Sequence, residues 1–160
     1  MSLDVATLSG TLTWMLSKAN PGFSDTKQSG SASQTITYPV ATINQMVAKV
    51  LTIAASGTAT IDLSSNIDLV GDAVAMTKAV ALYIASTGSN IKVTGHGTNG
   101  LSTWFLQASG ELHVRTGGFA IVGWPSTLPA TVDATHKILT ITNLSATTAT
   151  TVTYAILGGS

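Results

Sequence analysis

The sequence predicts an all-β domain: a jelly-roll-like β-sandwich of roughly ten strands over residues 1–160, with at most one short helical turn near residues 67–77. Three observations predict it. Apolar residues recur at every second position in short bursts, and threonine, about one residue in six, fills the polar side. Turn signals separate these bursts at short spacing. No stretch carries an amphipathic period of 3.6, which argues against a layered α/β scaffold.

The elements follow in order. Leu12, Trp14 and Leu16 alternate with Thr11, Thr13 and Met15, a strand with one buried face. After the turn Asn20-Pro21-Gly22, the polar and unpatterned run SDTKQSGSAS predicts an exposed loop over residues 24–33. Met46 to Ile53 is apolar on both faces apart from Lys49. Ala59, Ile61 and Leu63 alternate with Thr58, Thr60 and Asp62. The segment DAVAMTK (Asp72–Lys78) suits a single helical turn capped by Asp72. Ala79 to Ala85 is again apolar on both faces, with Val80, Leu82 and Ile84 opposite Ala81 and Tyr83.

Alternation resumes at Ile91 and Val93 and again at Leu112 and Val114, with Leu101 to Leu106 read as strand-like between them. Phe119 to Trp124 is two-sided, with Phe119 and Ile121 opposite Val122 and Trp124. Leu139 with Ile141, and Val152 with Tyr154 and Ile156, complete the strands. The inward members of these runs are the expected core. Two-sided strands are central in a layered fold or covered on the second face by a partner.

Composition narrows the function. Charged residues are 9% of the chain, against ~25% in ordinary domains. Seven basic residues balance seven acidic ones. A neutral chain lacks the basic stripe that nucleic acid or an anionic membrane surface requires, so neither is an expected partner. No apolar stretch approaches the ~18 residues of a membrane helix. The opening Met1-Ser2-Leu3-Asp4 does not read as a secretion signal. Without cysteine there is no disulfide, thiolate metal site or thiol nucleophile.

Candidate chemistry is sparse, and no catalytic residue, cofactor or metal ligand is assigned. Gly95-His96-Gly97-Thr98-Asn99-Gly100 has the letters of a dinucleotide fingerprint, but the strand-like run after it reads as a Gly-rich turn instead. His96, His113 and His136 lack close metal-ligand spacing. Asp62, Asn66, Asp68 and Asp72 form the one acidic cluster, without the spacing of a calcium loop. Glu111, the sole glutamate, alternates with His113 and Arg115 as a cross-strand charge arrangement. Asn143-Leu144-Ser145 is a literal glycosylation sequon. Trp104 and Trp124 sit beside turns and are expected to be exposed. Together with Tyr83, Phe119 and Val122 they are the candidate interface or ligand-contact residues.

Several blocks carry a family resemblance: Thr60-Ile61-Asp62-Leu63, Lys78-Ala79-Val80-Ala81-Leu82-Tyr83-Ile84, Ile91-Lys92-Val93-Thr94-Gly95, Leu112 to Phe119, Leu139 to Asn143 and Thr153 to Gly158. From about Thr58 onward the chain resembles small phage and prophage-encoded β proteins of virion structural genes. It departs from them in its Pro125 and Pro129 loop and its longer N-terminal half. The resemblance implies a non-enzymatic virion component, a capsid decoration, minor head or tail-associated protein made in the host cytoplasm. Its partners would be further copies of itself, with a trimer favoured, and capsid or tail proteins. Two other readings stand beside it. One is a carbohydrate-binding or adhesin-type module using Trp104, Trp124 and the Gly95–Gly100 loop. The other is a metal-dependent jelly-roll enzyme.

Overall fold

The computed structural model describes residues 6–18, 26–39, 41–67, 71–95, 97–106 and 109–160, with residues 6, 12, 14–18, 26–28 and 102 described by backbone only. These residues form β1 (Ala6–Lys18), β2 (Thr26–Tyr38), β3 (Gln45–Ile53), β4 (Thr58–Asp62), β5 (Asn66–Ile67), β6 (Ala73–Val74) and β7 (Lys78–Thr87). There follow β8 (Ile91–Gly95), the 3-10 helix η1 (Ser102–Phe105), β9 (Glu111–Val114), β10 (Phe119–Gly123), β11 (Ala130–Thr131), β12 (Ile138–Asn143) and β13 (Thr150–Gly159). Leaving aside the two-residue strands β5, β6 and β11, ten strands remain; nine of them are strands that the sequence predicts, and the tenth is β2.

Eight of those ten are nested in their pairing. The first, β3, pairs with the last, β13; β4 pairs with β12, β7 with β10, and β8 with β9, all antiparallel. The β7·β13 and β8·β12 pairs join them into two sheets, β10-β7-β13-β3 and β4-β12-β8-β9. Nested pairing of this kind across two facing sheets is the jelly roll. The remaining strands, β1 and β2, form a separate hairpin in register from Ala6↔Tyr38 to Lys18↔Thr26.

The core fills the space between the sheets. Leu82, Ile84, Val152, Tyr154 and Ile156 face Ile61, Ile91, Val93, Leu139 and Ile141, all at most 2% exposed. Leu82 and Ile84 come from one side of the two-sided run Ala79–Ala85, and the others from the apolar side of alternating runs. Leu63 and Val114 are also buried, and Leu112 packs against the core while half-buried. Val80 lies instead in a second, smaller cluster with Tyr38, Ile43 and Ala81. In β3, Val47 and Ile53 are buried and Leu51 packs against the core. Lys49, on the same side of the strand, directs its Nζ to Asn66 Oδ1 at 2.6 Å, which satisfies the charged end while its stem covers apolar surface. The expected core residues Leu12, Trp14 and Leu16 lie outside the described side chains.

Four expectations are corrected. Residues 26–33 of the predicted 24–33 loop belong to β2 rather than to a loop, while residues 24 and 25 fall outside the described residues. The described side chains from Ser31 to Thr35 are exposed on both faces of the ribbon. A strand without a buried face leaves no hydrophobic alternation to read. Among the described residues of 67–77 there is no helical turn: Asn66 and Ile67 pair with Val74 and Ala73, and the Met76 and Thr77 N–H groups donate to Leu63 and Gly159. Val74 and Met76, two residues apart, are both buried, so the segment follows the strand period.

The strand-like reading of Leu101 to Leu106 is replaced by η1. Leu101 and Trp104 lie three apart, eclipsed on one side of a 3-10 turn, and both are buried. Trp104 is therefore a core residue, 1% exposed, rather than an exposed one. Replacing it with alanine should lower the unfolding free energy by about 3–5 kcal/mol through the cavity left behind. Urea denaturation of wild type and Trp104→Ala measures this directly. A shift of the midpoint too small to reach 1 kcal/mol would contradict the placement.

Candidate functional site

The feature that departs most from an ordinary domain surface is the outer face of the β10-β7-β13-β3 sheet. Strand register sets its composition. Residues alternating with the core positions form rows across the four strands: Gly123, Ala81, Leu157 and Met46; then Ile121, Tyr83, Ala155 and Ala48; then Phe119, Ala85, Thr153 and Val50. None of these twelve residues is charged.

The first row is covered. Leu8 and Ile36 of the hairpin base pack with Tyr38 and Ile43 on Val80, Ala81 and Leu157. Leu8 Cδ2 and the Tyr38 hydroxyl fill the space a Cβ on Gly123 would take, so the hairpin side chains pack directly on this backbone. Tyr38 donates its hydroxyl to the Val80 carbonyl at 3.4 Å, and burial raises its pKa above the ordinary tyrosine value.

The other two rows are open. Phe119 is 66% exposed and Val50 65%; Tyr83 and Ile121 are each 36% exposed. Tyr83 and Phe119 stack with ring centroids 6.2 Å apart and planes inclined by 27°. Four strands ~4.8 Å apart, carrying two rows ~7 Å apart, make a patch on the order of 300 Å², at the size where exposed apolar surface acquires meaning. Between this face and the hairpin runs a cleft of about 730 Å³ lined by Ser9, Gly10, Thr11, Ala32, Ser33, Gln34, Phe119 and Ile121.

Of the five candidate residues, the fold brings Tyr83 and Phe119 together on this face and turns the other three away. Val122 and Trp124 lie on the opposite side of their segment from Phe119 and pack against the core, and Trp104 lies within it. Neither tryptophan Nε1 meets an acceptor among the described residues. Ile121 and Val50 belong to the face and were not singled out from the sequence. The signal for Ile121 was its parity with Phe119; Val50 lay in a strand apolar on both sides.

Elsewhere several charged and polar side chains satisfy one another. Glu111 accepts from Lys92 Nζ at 2.9 Å and lies 2.9 Å from His113 Nε2; these two hydrogen bonds hold its pKa below the usual range. Asp62 meets Lys137 at 3.1 Å; burial raises its pKa, but hydrogen bonds from Ser64 and Lys137 outweigh that and lower it. His96 and Asp68 lie outside the described residues. Among the described ones, no three His, Cys, Asp or Glu side chains converge as a metal site would require.

The Gly95–Gly100 segment docks on β12, with the Asn99 carbonyl accepting from Lys137 and Ile138. The four-residue 3-10 helix after it does not provide the α-helix start a pyrophosphate needs. Asn143, in the sequon, is 2% exposed. Its Nδ2 donates to Ile53, Ala54 and Thr148, and its Oδ1 accepts from Ser89 and the Ser145 N–H. The folded chain therefore does not offer it for glycosylation.

No family model matches the chain, and no curated protein matches it in sequence. Among solved structures, the cupin domain of Schizosaccharomyces pombe Cnp3 aligns over 92% of this chain and 83% of its own, at 11% identity and a TM-score of 0.36. The Yersinia pseudotuberculosis-derived mitogen aligns over 72% of this chain and 86% of its own, at 11% identity and a TM-score of 0.37. At these scores neither carries an argument, and the jelly-roll assignment rests on the strand order.

Two predictions follow from the polar clusters. Asn143→Ala leaves buried Ser89 and three carbonyls without their partner, so it should cost on the order of 3 kcal/mol in chemical denaturation. Asp133 accepts from the Thr135 N–H and hydroxyl, at 2.7 and 2.9 Å, and from the His136 N–H at 2.8 Å, which lowers its pKa to about 2. A depressed folded pKa means that the turn's contribution is complete above the ordinary value of 3.8 and is lost as pH falls through about 2. Carboxyl NMR should place the Asp133 midpoint near the lower value; a midpoint near the ordinary one would refute this.

Proposed function

We propose that this chain is a non-enzymatic structural protein that self-associates and attaches to the capsid or tail lattice of a phage-like virion. The observation that carries the reading is the uncharged outer face, where Phe119 and Val50 stand about two-thirds exposed. An isolated soluble domain keeps such a face polar, and an assembly protein covers it. Neutral net charge supports the same reading, since identical copies meet without mutual repulsion. The virion context comes from the sequence resemblance, with fold-level analogy beside it, because jelly rolls recur in viral capsid domains. A trimer is the favoured state.

The carbohydrate-binding reading changes its site. Trp104 and Trp124 face the core, which leaves the Tyr83–Phe119 pair beside the cleft, edged by Ser9, Thr11, Ser33 and Gln34. An aromatic floor with neutral polar edges is chemistry a sugar ring accepts. A glycan array probed with wild type and Phe119→Ala separates the readings: binding lost in the variant favours this one, and no binding by wild type removes it.

Light scattering coupled to size exclusion tests the main reading on the full chain. Wild type should elute as a defined multiple of 16.3 kDa at micromolar concentration. Phe119→Asp combined with Val50→Asp should return it to a folded monomer, because a carboxylate on each side of the face must be desolvated on association. A compact wild-type monomer under these conditions would overturn the proposal.

A further inference from the structure

The hairpin of β1 and β2 has no evident role within its own chain. Among its described side chains only the base is packed, where Leu8, Ile36 and Tyr38 rest on Val80, Ala81 and Leu157. Nine further residue pairs, from Gly10↔Gln34 to Lys18↔Thr26, continue beyond it. The described side chains there are exposed or nearly so: Gly10, Thr11, Thr13 and Ser31 to Thr35 all face solvent. A lone two-stranded ribbon is marginally stable in water, so an arm of this length implies a surface to lie on.

We propose that this surface is the open outer face of a second copy, the arm of each chain lying across the Phe119, Tyr83 and Val50 rows of its neighbour. The proposal rests on the self-association reading and names how the copies meet. Three observations favour a second copy over another partner.

The first is continuity. In the sequence Leu12, Trp14 and Leu16 follow Leu8 at even spacing, and Leu8 already packs on this same kind of face. The arm thus repeats, further along, the residue type that its base uses against the sheet.

The second is charge. The hairpin's ionisable side chains are Lys18 and Lys27 at its tip and Tyr38 at its base, with none on the strands between, and the open rows contain none except Tyr83. Between tip and base, a charged partner would find nothing to pair with, whereas two uncharged surfaces of the same chain lose no ion hydration on meeting.

The third is area. An arm of nine residue pairs is ~30 Å long and ~10 Å wide, and each copy contributes one arm and one face. Together they bring on the order of 600 Å² of outline per copy, near the ~800 Å² of accessible surface that each side of a stable interface buries. The face alone falls well short of that. The chain's own arm leaves the face open: Phe119 stays largely exposed beside it, and Val50 lies on β3, at the opposite edge of the sheet from β10. Made reciprocally, arm-on-face contact gives a two-fold dimer; made head-to-tail with a rotation that closes, it gives a ring, and a ring of three matches the favoured trimer.

The chain has no cysteine, which makes cross-linking unambiguous. Ala32→Cys on the arm and Val50→Cys on the face are both at exposed positions. Chains carrying one or the other, distinguished by isotope label, are co-assembled and mildly oxidised. Arm-to-face disulfides should exceed arm-to-arm and face-to-face ones at least tenfold, and Phe119→Asp in the Val50→Cys chain should abolish them. If oligomers form but the disulfides join like with like, the arm proposal falls while self-association stands. Face-to-face disulfides in excess would mean that two faces cover each other. If light scattering shows only monomer, both fall. Hydrogen exchange on wild type gives a second readout: amides of residues 10–18 and 26–34 should gain protection as concentration rises through assembly, and unchanged protection overturns the proposal.

Discussion

The position of β13 between β3 and β7 is the constraint on which the molecule depends. This last strand pairs with the first strand of the roll on one side and with the third on the other. Val152, Tyr154 and Ile156 project from it into the core, while Thr153, Ala155 and Leu157 form the middle of the outer face. One strand therefore supplies the centre of both surfaces. Because its partners on β3 lie as much as 113 residues earlier (Gly158↔Gln45), the sheet closes only once β13 has been made, a topology dominated by long-range contacts.

The ends of the roll are closed by polar groups. At one end Asn143 joins the carbonyls of Ile53, Ala54 and Thr148 to Ser89, and Ser86 and Thr150 meet beside them at 2.8 Å. All four of these polar residues are buried and hydrogen-bonded. Strand ends and tight turns leave backbone groups without ladder partners, and a buried amide that both donates and accepts satisfies several at once. Gly88 completes this corner: at φ +108°, a Cβ there would press on the Ala149 carbonyl at 2.7 Å.

The scarcity of charge has two structural origins. On most solvent-facing strand positions threonine and serine replace the usual Lys and Glu, which keeps those faces polar without ionisation. On the outer face even these thin out, leaving aromatic and aliphatic side chains beside a hairpin whose two lysines lie at its tip. The first arrangement suits any β-sandwich. The second is what distinguishes this chain and what the assembly proposal interprets.

Strand content was legible because period-2 alternation survives wherever one face is buried and the other wet; Leu139 with Ile141 and Val152 with Tyr154 needed no neighbours to be read. Hairpin strand β2 was not legible, since Ser31 to Thr35 have no buried side to mark it, and Leu101 and Trp104 concealed a 3-10 turn inside an apolar run. The candidate face was half legible: parity separated Phe119 and Ile121 from Val122 and Trp124, but parity does not say which side faces the second sheet. The sequence alone determined the strand period, the neutrality and the turn positions, because these are local properties of the chain. Only tertiary structure decided which apolar face became core, since that choice is made by strands far apart in sequence when they pack across the sandwich.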